Sequence, residues 1–162
     1  MLSDALKEVA AAAGLESWDA SAVVDGKYDL KETTLEIAPE KIREVCRYLK
    51  REHQFARLSS ITAVDWYPSE PRFEVVYHLH SLTRNERLRL KCKVSGEASE
   101  IDSVTGVWIA ADWYEREVFD LFGIRFREHP GLRRLLMPDD WEGHPLRKDY
   151  PTHGHKYSYK DE

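Results

Sequence analysis

The sequence predicts an α+β fold: a two-layer domain of helices packed on a largely antiparallel sheet, with an irregular C-terminal extension. Three observations predict it. From Leu88 to Val94 apolar and basic residues alternate without a break. Leu88, Leu90, Cys92 and Val94 point one way, and Arg87, Arg89, Lys91 and Lys93 point the other, as in a strand with one face buried. Ile42, Val45, Cys46 and Leu49 recur at i, i+3, i+4 and i+7, the spacing of one buried helix face. After Ile124 neither period persists, and Pro130, Pro138, Pro145 and Pro151 punctuate the chain together with Gly131 and Gly143.

The elements follow in order. Ser3 is placed to cap a short helix through Ala13, with Gly14 as its stop. Residues 20–25 and 33–37 read as short strands with Gly26 between them. Pro39 suits the first turn of a second helix running to about Glu52. Lys41, Arg43, Glu44, Arg47 and Lys50 occupy its polar face. Strands are expected over 58–67, 73–82 and 88–94, joined by the turns Ser69-Glu70-Pro71 and Arg84-Asn85. Connections this short imply an antiparallel meander. Residues 96–106 form a polar loop. A third helix starts at Asp112, an N-cap with Glu115 three residues on, as a capping box requires. Gly123 is its left-handed stop.

With 162 residues the chain fits one domain, divided as an α+β core over 1–124, an irregular docking extension over 125–151 and a polar, mobile tail over 152–162. The extension carries Leu132, Leu135, Leu136, Met137, Trp141 and Leu146, too many apolar residues for simple disorder, so it should be ordered against something. The net charge of −5 argues against a nucleic-acid footprint. No stretch approaches the roughly 20 apolar residues that span a bilayer, so no direct membrane insertion is expected. Residues 1–14 are too polar for a signal peptide. Cys46 and Cys92 are far apart and read as buried thiols; they cannot build a zinc or iron–sulfur site.

Three groups could carry chemistry. His78 and His80 lie two apart on a strand and face one side, but the sequence specifies no third ligand, and a polar sheet face is the simpler reading. His129, His144, His153 and His155 lie among Asp139, Asp140 and Asp149. A stand-alone metal-dependent hydrolase could use them, yet no H-E-x-x-H or similar rigid spacing is present. Glu115, Arg116, Glu117 and Asp120 crowd one helix. They could serve as acid and base. The structural alternative is that Glu115 caps, Arg116 pairs with Asp120 at i, i+4, and Glu117 finds Arg133 or Arg134. No G-x-G-x-x-G, Walker loop or nucleophile elbow occurs.

From Trp113 to Tyr150 the chain resembles one family closely. Glu115-Arg116-Glu117-Val118-Phe119-Asp120-Leu121-Phe122-Gly123-Ile124 is similar to its signature helix. His129-Pro130, Leu132-Arg133-Arg134-Leu135-Leu136-Met137-Pro138 and the run Asp139 to Tyr150 continue the pattern. Val75-Val76-Tyr77-His78-Leu79 with Ser81-Leu82 is similar to the family's central strand. The family is the C-type (30 kDa) subunit of respiratory complex I, the proton-translocating NADH:quinone oxidoreductase. The resemblance implies a peripheral, non-catalytic assembly subunit on the cytoplasmic face of the bacterial inner membrane, beside the D-type and B-type subunits. It implies no cofactor in this chain, while the holoenzyme uses FMN, iron–sulfur clusters, quinone and NADH. The equivalent subunit of a ferredoxin-dependent plastid-type dehydrogenase or a membrane-bound hydrogenase is the alternative. Glu115, Arg116, Glu117, Asp120, Arg133, Arg134, Leu136, Trp141, Arg147 and Lys148 are the expected partner-facing residues. Arg134 and Arg147 are expected to be exposed in the free subunit. Arginine and aromatic side chains are common interface anchors.

Overall fold

A computed structural model describes residues 4–151 of the chain. The expected cap Ser3 and the tail over 152–162, with His153 and His155, lie outside the described residues.

Two short helices, α1 (Asp4–Lys7) and α2 (Ala10–Trp18), open the domain. The expected stop at Gly14 is overturned, because α2 runs through it. A Cβ at Gly14 would lie 2.4 Å from His53 Nε2, and Tyr48 donates to the Gly14 carbonyl at 3.2 Å. Gly14 is thus a close-packing residue, and it lets α2 approach the end of the next long helix.

Strand β1 (Val23–Asp29) turns back into β2 (Glu32–Ile37). Gly26 is inside β1, not between the strands. The hairpin turn is Leu30-Lys31, whose φ angles are 50° and 65°. Such two-residue loops need positive φ at both positions to match strand twist. Nothing in Leu-Lys advertises that, so the sequence placed the turn too early.

A 3-10 turn at Pro39–Lys41 leads into α3 (Ile42–Glu52), which buries Ile42, Val45, Cys46 and Leu49 as its spacing requires. Strands β3 (Arg57–Asp65), β4 (Phe73–Ser81) and β5 (Glu86–Val94) form the expected antiparallel meander. The five-stranded sheet has the order β1-β2-β5-β4-β3, and β2 pairs with β5 in parallel. The fold is therefore α+β with one parallel pair in a mainly antiparallel sheet. Cys46 and Cys92 are both buried free thiols, and burial pushes both thiol pKa values up.

The loop expected over 96–106 contains a strand, β6 (Glu100–Asp102), and a partner lies beyond the last helix in β7 (Arg125–Arg127). Three residues are too few to show a period. Arg43, on the polar face of α3, reaches across to this small sheet. Its Nε donates to the Ser103 carbonyl at 2.9 Å, and it pairs with Asp102 and Glu128. Lys50 similarly donates to the Val107 carbonyl at 2.5 Å. Helix α4 (Ala111–Phe122) follows this segment, and its Ala111, Val118 and Phe122 join the same core cluster as the inner sheet face.

The Leu30-Lys31 turn yields a prediction. Leu30 is 90% exposed, so it offers little packing to lose. Changing Leu30→Asn and Lys31→Gly relieves left-handed strain and should stabilise the chain by about 1 kcal/mol. A urea midpoint that does not rise would show that the turn is not strained in this way.

Candidate assembly interface

Helix α4 and the segment after it contain nearly all the residues singled out from the sequence. The capping box does not form. The residue preceding α4 is Ala110, which offers no side-chain cap, and Asp112 lies inside the first turn. Glu115 points inward instead. It falls on the stripe Ala111, Glu115, Val118, Phe122, which is the buried face of the helix. Its carboxylate accepts from the Val104 N–H and the Ser103 hydroxyl, both at 2.7 Å. Glu115 therefore ties the β6–α4 connection to the helix. Burial pushes its pKa up to about 7, against the pull of those two donors and of Arg43.

The His129 side chain is fully buried beside it. The Gly131 N–H donates to His129 Nδ1 at 3.0 Å, so the ring proton sits on Nε2. That nitrogen donates to Asp112, 3.2 Å from its carbonyl and 3.3 Å from its carboxylate.

Asp120 is the centre of the arrangement. It is fully buried in the last turn of α4. Its Oδ2 accepts the backbone N–H groups of Leu135, Leu136 and Met137 at 3.0, 2.7 and 2.9 Å. Its Oδ1 takes Arg134 Nη1 at 2.7 Å. Burial works to raise the carboxyl's pKa, but these donors outweigh it and hold the group below its usual range. The expected Arg116–Asp120 pair is thus overturned. Arg116 donates to the carbonyls of Arg133 and Arg134 and lies over the Trp113 ring at 5.0 Å. Among the described residues no cation reaches Glu117.

The same segment satisfies the end of the helix. The last four carbonyls of a helix have no internal partner. Here Phe119 O accepts from the N–H of Gly123, whose φ of 76° makes the left-handed stop foreseen from the sequence. Asp120 O accepts from Arg134 and from His144 Nδ1, Leu121 O from the Leu146 N–H, and Phe122 O from Arg147 Nε at 2.6 Å. A Cβ on Gly123 would lie 2.6 Å from both Arg147 and His144, so glycine also leaves room for them. Arginines at this end complement the helix dipole.

The extension is fastened again at the sheet. Asp65, at the end of β3, binds Arg72 through a fork at 2.9 and 2.8 Å and accepts the Lys148 N–H at 2.8 Å. Arg72 also grips Asp149. Burial opposes ionisation of Asp65, yet Arg72 and the backbone N–H groups of Lys148 and Tyr67 bring its pKa down to about 2. Neither Asp65 nor Arg72 was singled out from the sequence.

These contacts overturn the expectation that Arg134 and Arg147 are free. Arg134 also donates to the carbonyls of Trp141 and Gly143, and Arg147 stacks 5.3 Å from Phe73. Removing one member of a buried pair such as Asp120–Arg134 costs about 3–5 kcal/mol. The outward-facing members of the expected set are Arg133, Leu136 and Lys148, with Trp141 and Glu117 half-buried. Trp113, Ile109 and Leu136 are exposed apolar side chains of the same region of the chain, at 58%, 89% and 61%. His144 caps a helix, and His78 bonds to Ser60 and Arg89. Among the described residues no three metal-ligating side chains come together.

The class of protein these features define is a two-layer α+β domain with its C-terminal segment lashed across one helix, and with Trp113, Arg133 and Leu136 exposed on the outside. A family model described as respiratory-chain NADH dehydrogenase, 30 Kd subunit, matches residues 35–156, and the chain belongs to that family. It is 48% identical over 136 residues to the C-type subunit of the NADH-quinone oxidoreductase of Geobacter sulfurreducens, covering 83% of this chain and 84% of that protein. It is 46% identical over 162 residues to the protein of the same name from Salinispora arenicola, covering 98% of this chain and 64% of that one. Among solved structures it is similar to a trypsin-resistant fragment of Nqo5, with a TM-score of 0.66 and 31% identity over 74% of this chain and 97% of that one. A chain of a membrane-bound sulfane sulfur reductase, an archaeal respiratory membrane complex, superposes with a TM-score of 0.74 at 29% identity, covering 86% and 83% of the two chains.

Glu115 yields a pH prediction. Its folded pKa, about 7, lies above the ordinary 4.5, so the native state binds the proton more tightly than the unfolded chain. Its contribution is fully present below pH 4.5 and is lost as pH rises through about 7. Glu115→Gln removes the charge, accepts the Val104 N–H through its amide oxygen, and can donate its amide N–H to the Ser103 hydroxyl, reversing that bond. It should flatten the stability profile across that window and be more stable than the parent at pH 8, by on the order of a few kcal/mol. Parallel profiles for the two proteins would place Glu115 in contact with water.

Proposed function

We propose that this chain is a peripheral assembly subunit of a proton-pumping NADH:quinone oxidoreductase, holding neighbouring subunits in register and contributing no cofactor or catalytic group of its own. The observation that carries the reading is that the family's signature segment coincides with the lashed surface around α4. The residues that fold it, Asp120, Arg134 and Arg147, face inward. Those it presents, Trp113, Arg133 and Leu136, face outward. Pre-ordering a surface in this way lowers the entropic cost of docking.

The proposed partners are the D-type and B-type subunits, on the cytoplasmic face of the bacterial inner membrane. Among the described residues no helix is long and apolar enough to cross a membrane, which supports attachment through partners. In this reading the FMN, iron–sulfur clusters and quinone belong to other subunits. The similarity to the sulfane sulfur reductase chain favours a second reading, the equivalent place in a related membrane respiratory complex with another electron donor. Whether an NADH-oxidising protein co-purifies with the tagged chain decides between them.

Trp113→Ala combined with Leu136→Glu tests the docking surface. Both side chains are exposed, so the melting temperature of the isolated chain should move little, within about 0.5 kcal/mol per site. The assembled complex recovered from membranes should fall several-fold, with NADH:quinone turnover per assembled complex unchanged. Full assembly would move the interface elsewhere, and full assembly with lost turnover would place this surface in the reaction itself.

A further inference from the structure

Beyond the docking strip, we propose that the polar face of the sheet is a second binding surface, which receives an acidic, extended segment from another subunit of the assembly. The proposal rests on the chain working within such an assembly. Its basis is a row of three basic side chains. Arg57 on β3 is directly opposite His80 on β4, and His80 is directly opposite Arg87 on β5. Directly paired residues share a face, so two arginines flank His80 with no acid between them. The neighbouring Leu58, Leu79 and Leu88 point into the core, which fixes the row on the other side.

Four other cations of this face are paired. Arg89 pairs with Glu32 at 2.8 Å, Lys91 with Glu74 at 2.9 Å, Lys93 with Glu36 at 3.0 Å and Lys27 with Asp29 at 2.8 Å. Among the described residues the side chains of Arg57, His80 and Arg87 have neither an ion pair nor a hydrogen bond. They border a groove of about 460 Å³ lined by residues of β2, β3, β4 and β5. Its one acid is Glu32, already bound to Arg89, and Ser60 and His78, hydrogen-bonded to each other, also line it. Among the described residues, Arg57 and Arg87 are the arginines of this face left without an acid.

Geometry selects the occupant. Adjacent strands are about 4.8 Å apart, so the row runs about 10 Å from Arg57 to Arg87 at the backbone. Two carboxylates on the same side of an extended peptide, about 6.6 Å apart, fall within that length. Each arginine can take one of them through its planar fork. A single phosphate spans less of the row.

The test uses the intact complex. A tagged chain carrying Arg57→Lys and Arg87→Lys keeps the charges and supplies amines that a carbodiimide couples to carboxylates in contact. Cross-links from position 57 or 87 to aspartate or glutamate of another subunit, mapped by mass spectrometry, are the expected result. Amines that an acylating reagent labels as readily in the assembled complex as in the free chain would overturn the proposal, since the face would then be open. Protection without any cross-link to a carboxylate would overturn it too, as would protection of the free chain by inorganic phosphate alone, which would make the occupant a small anion. If the tagged chain recovers no other subunit, the assembly reading itself fails, a different outcome from recovery with an open face. As a second variant, Arg57→Glu with Arg87→Glu should lower recovered complex several-fold while leaving the melting temperature of the isolated chain unchanged or raised. Undiminished recovery would contradict the proposal.

Discussion

The buried carboxylate of Asp120 is the constraint on which the rest of this molecule depends. A carboxylate removed from water is costly unless its lone pairs are filled. Here three consecutive backbone N–H groups and one guanidinium fill them. The segment 133–137 has no sheet or helix ladder of its own, so these are the bonds that answer for its buried backbone donors. One residue thus solves two problems: its own burial and the ordering of a chain rich in proline and glycine. The end of α4 adds a third, since its open carbonyls are closed by the same segment.

Much of the fold was legible because it rests on periodicity. Ile42 to Leu49 and Leu88 to Val94 each repeat their pattern over several residues, and the structure buries the faces that the patterns marked. The left-handed stop at Gly123 was legible because glycine adopts that conformation without a steric penalty. What escaped was short or non-local. Strands β6 and β7 have three residues each and meet across α4. The Leu30-Lys31 turn uses residues that favour no turn. Arg43 and Lys50 sat on the polar side of an amphipathic helix, and nothing in that pattern separates a solvated cation from one that donates to a distant carbonyl.

The candidate site was legible in its location but not in its wiring. Sequence spacing paired Arg116 with Asp120 because both lie on one helix, four residues apart. An exposed pair of that kind contributes roughly 0–1 kcal/mol. Asp120 instead takes partners 14 to 17 residues away, which fill both of its oxygens in a buried setting. Glu115 did carry a signal: position 115 falls on the buried stripe between Ala111 and Val118. A carboxylate there must either be bound by donors or hold its proton, and Glu115 is drawn both ways. Asp65 and Arg72 carried no signal, because their partners Lys148 and Asp149 arrive from the far end of the chain.

The central claim is that the extension is folded onto α4 before any partner binds, so that docking meets a prepared surface. Amide hydrogen exchange on the isolated full-length chain, resolved at Leu135, Leu136 and Met137, tests it most directly. The account predicts that these three amides are protected to a degree similar to those of β4, at the centre of the core. Exchange near the rate of an unstructured chain, with β4 still protected, would contradict it and make the extension a segment that folds only on assembly.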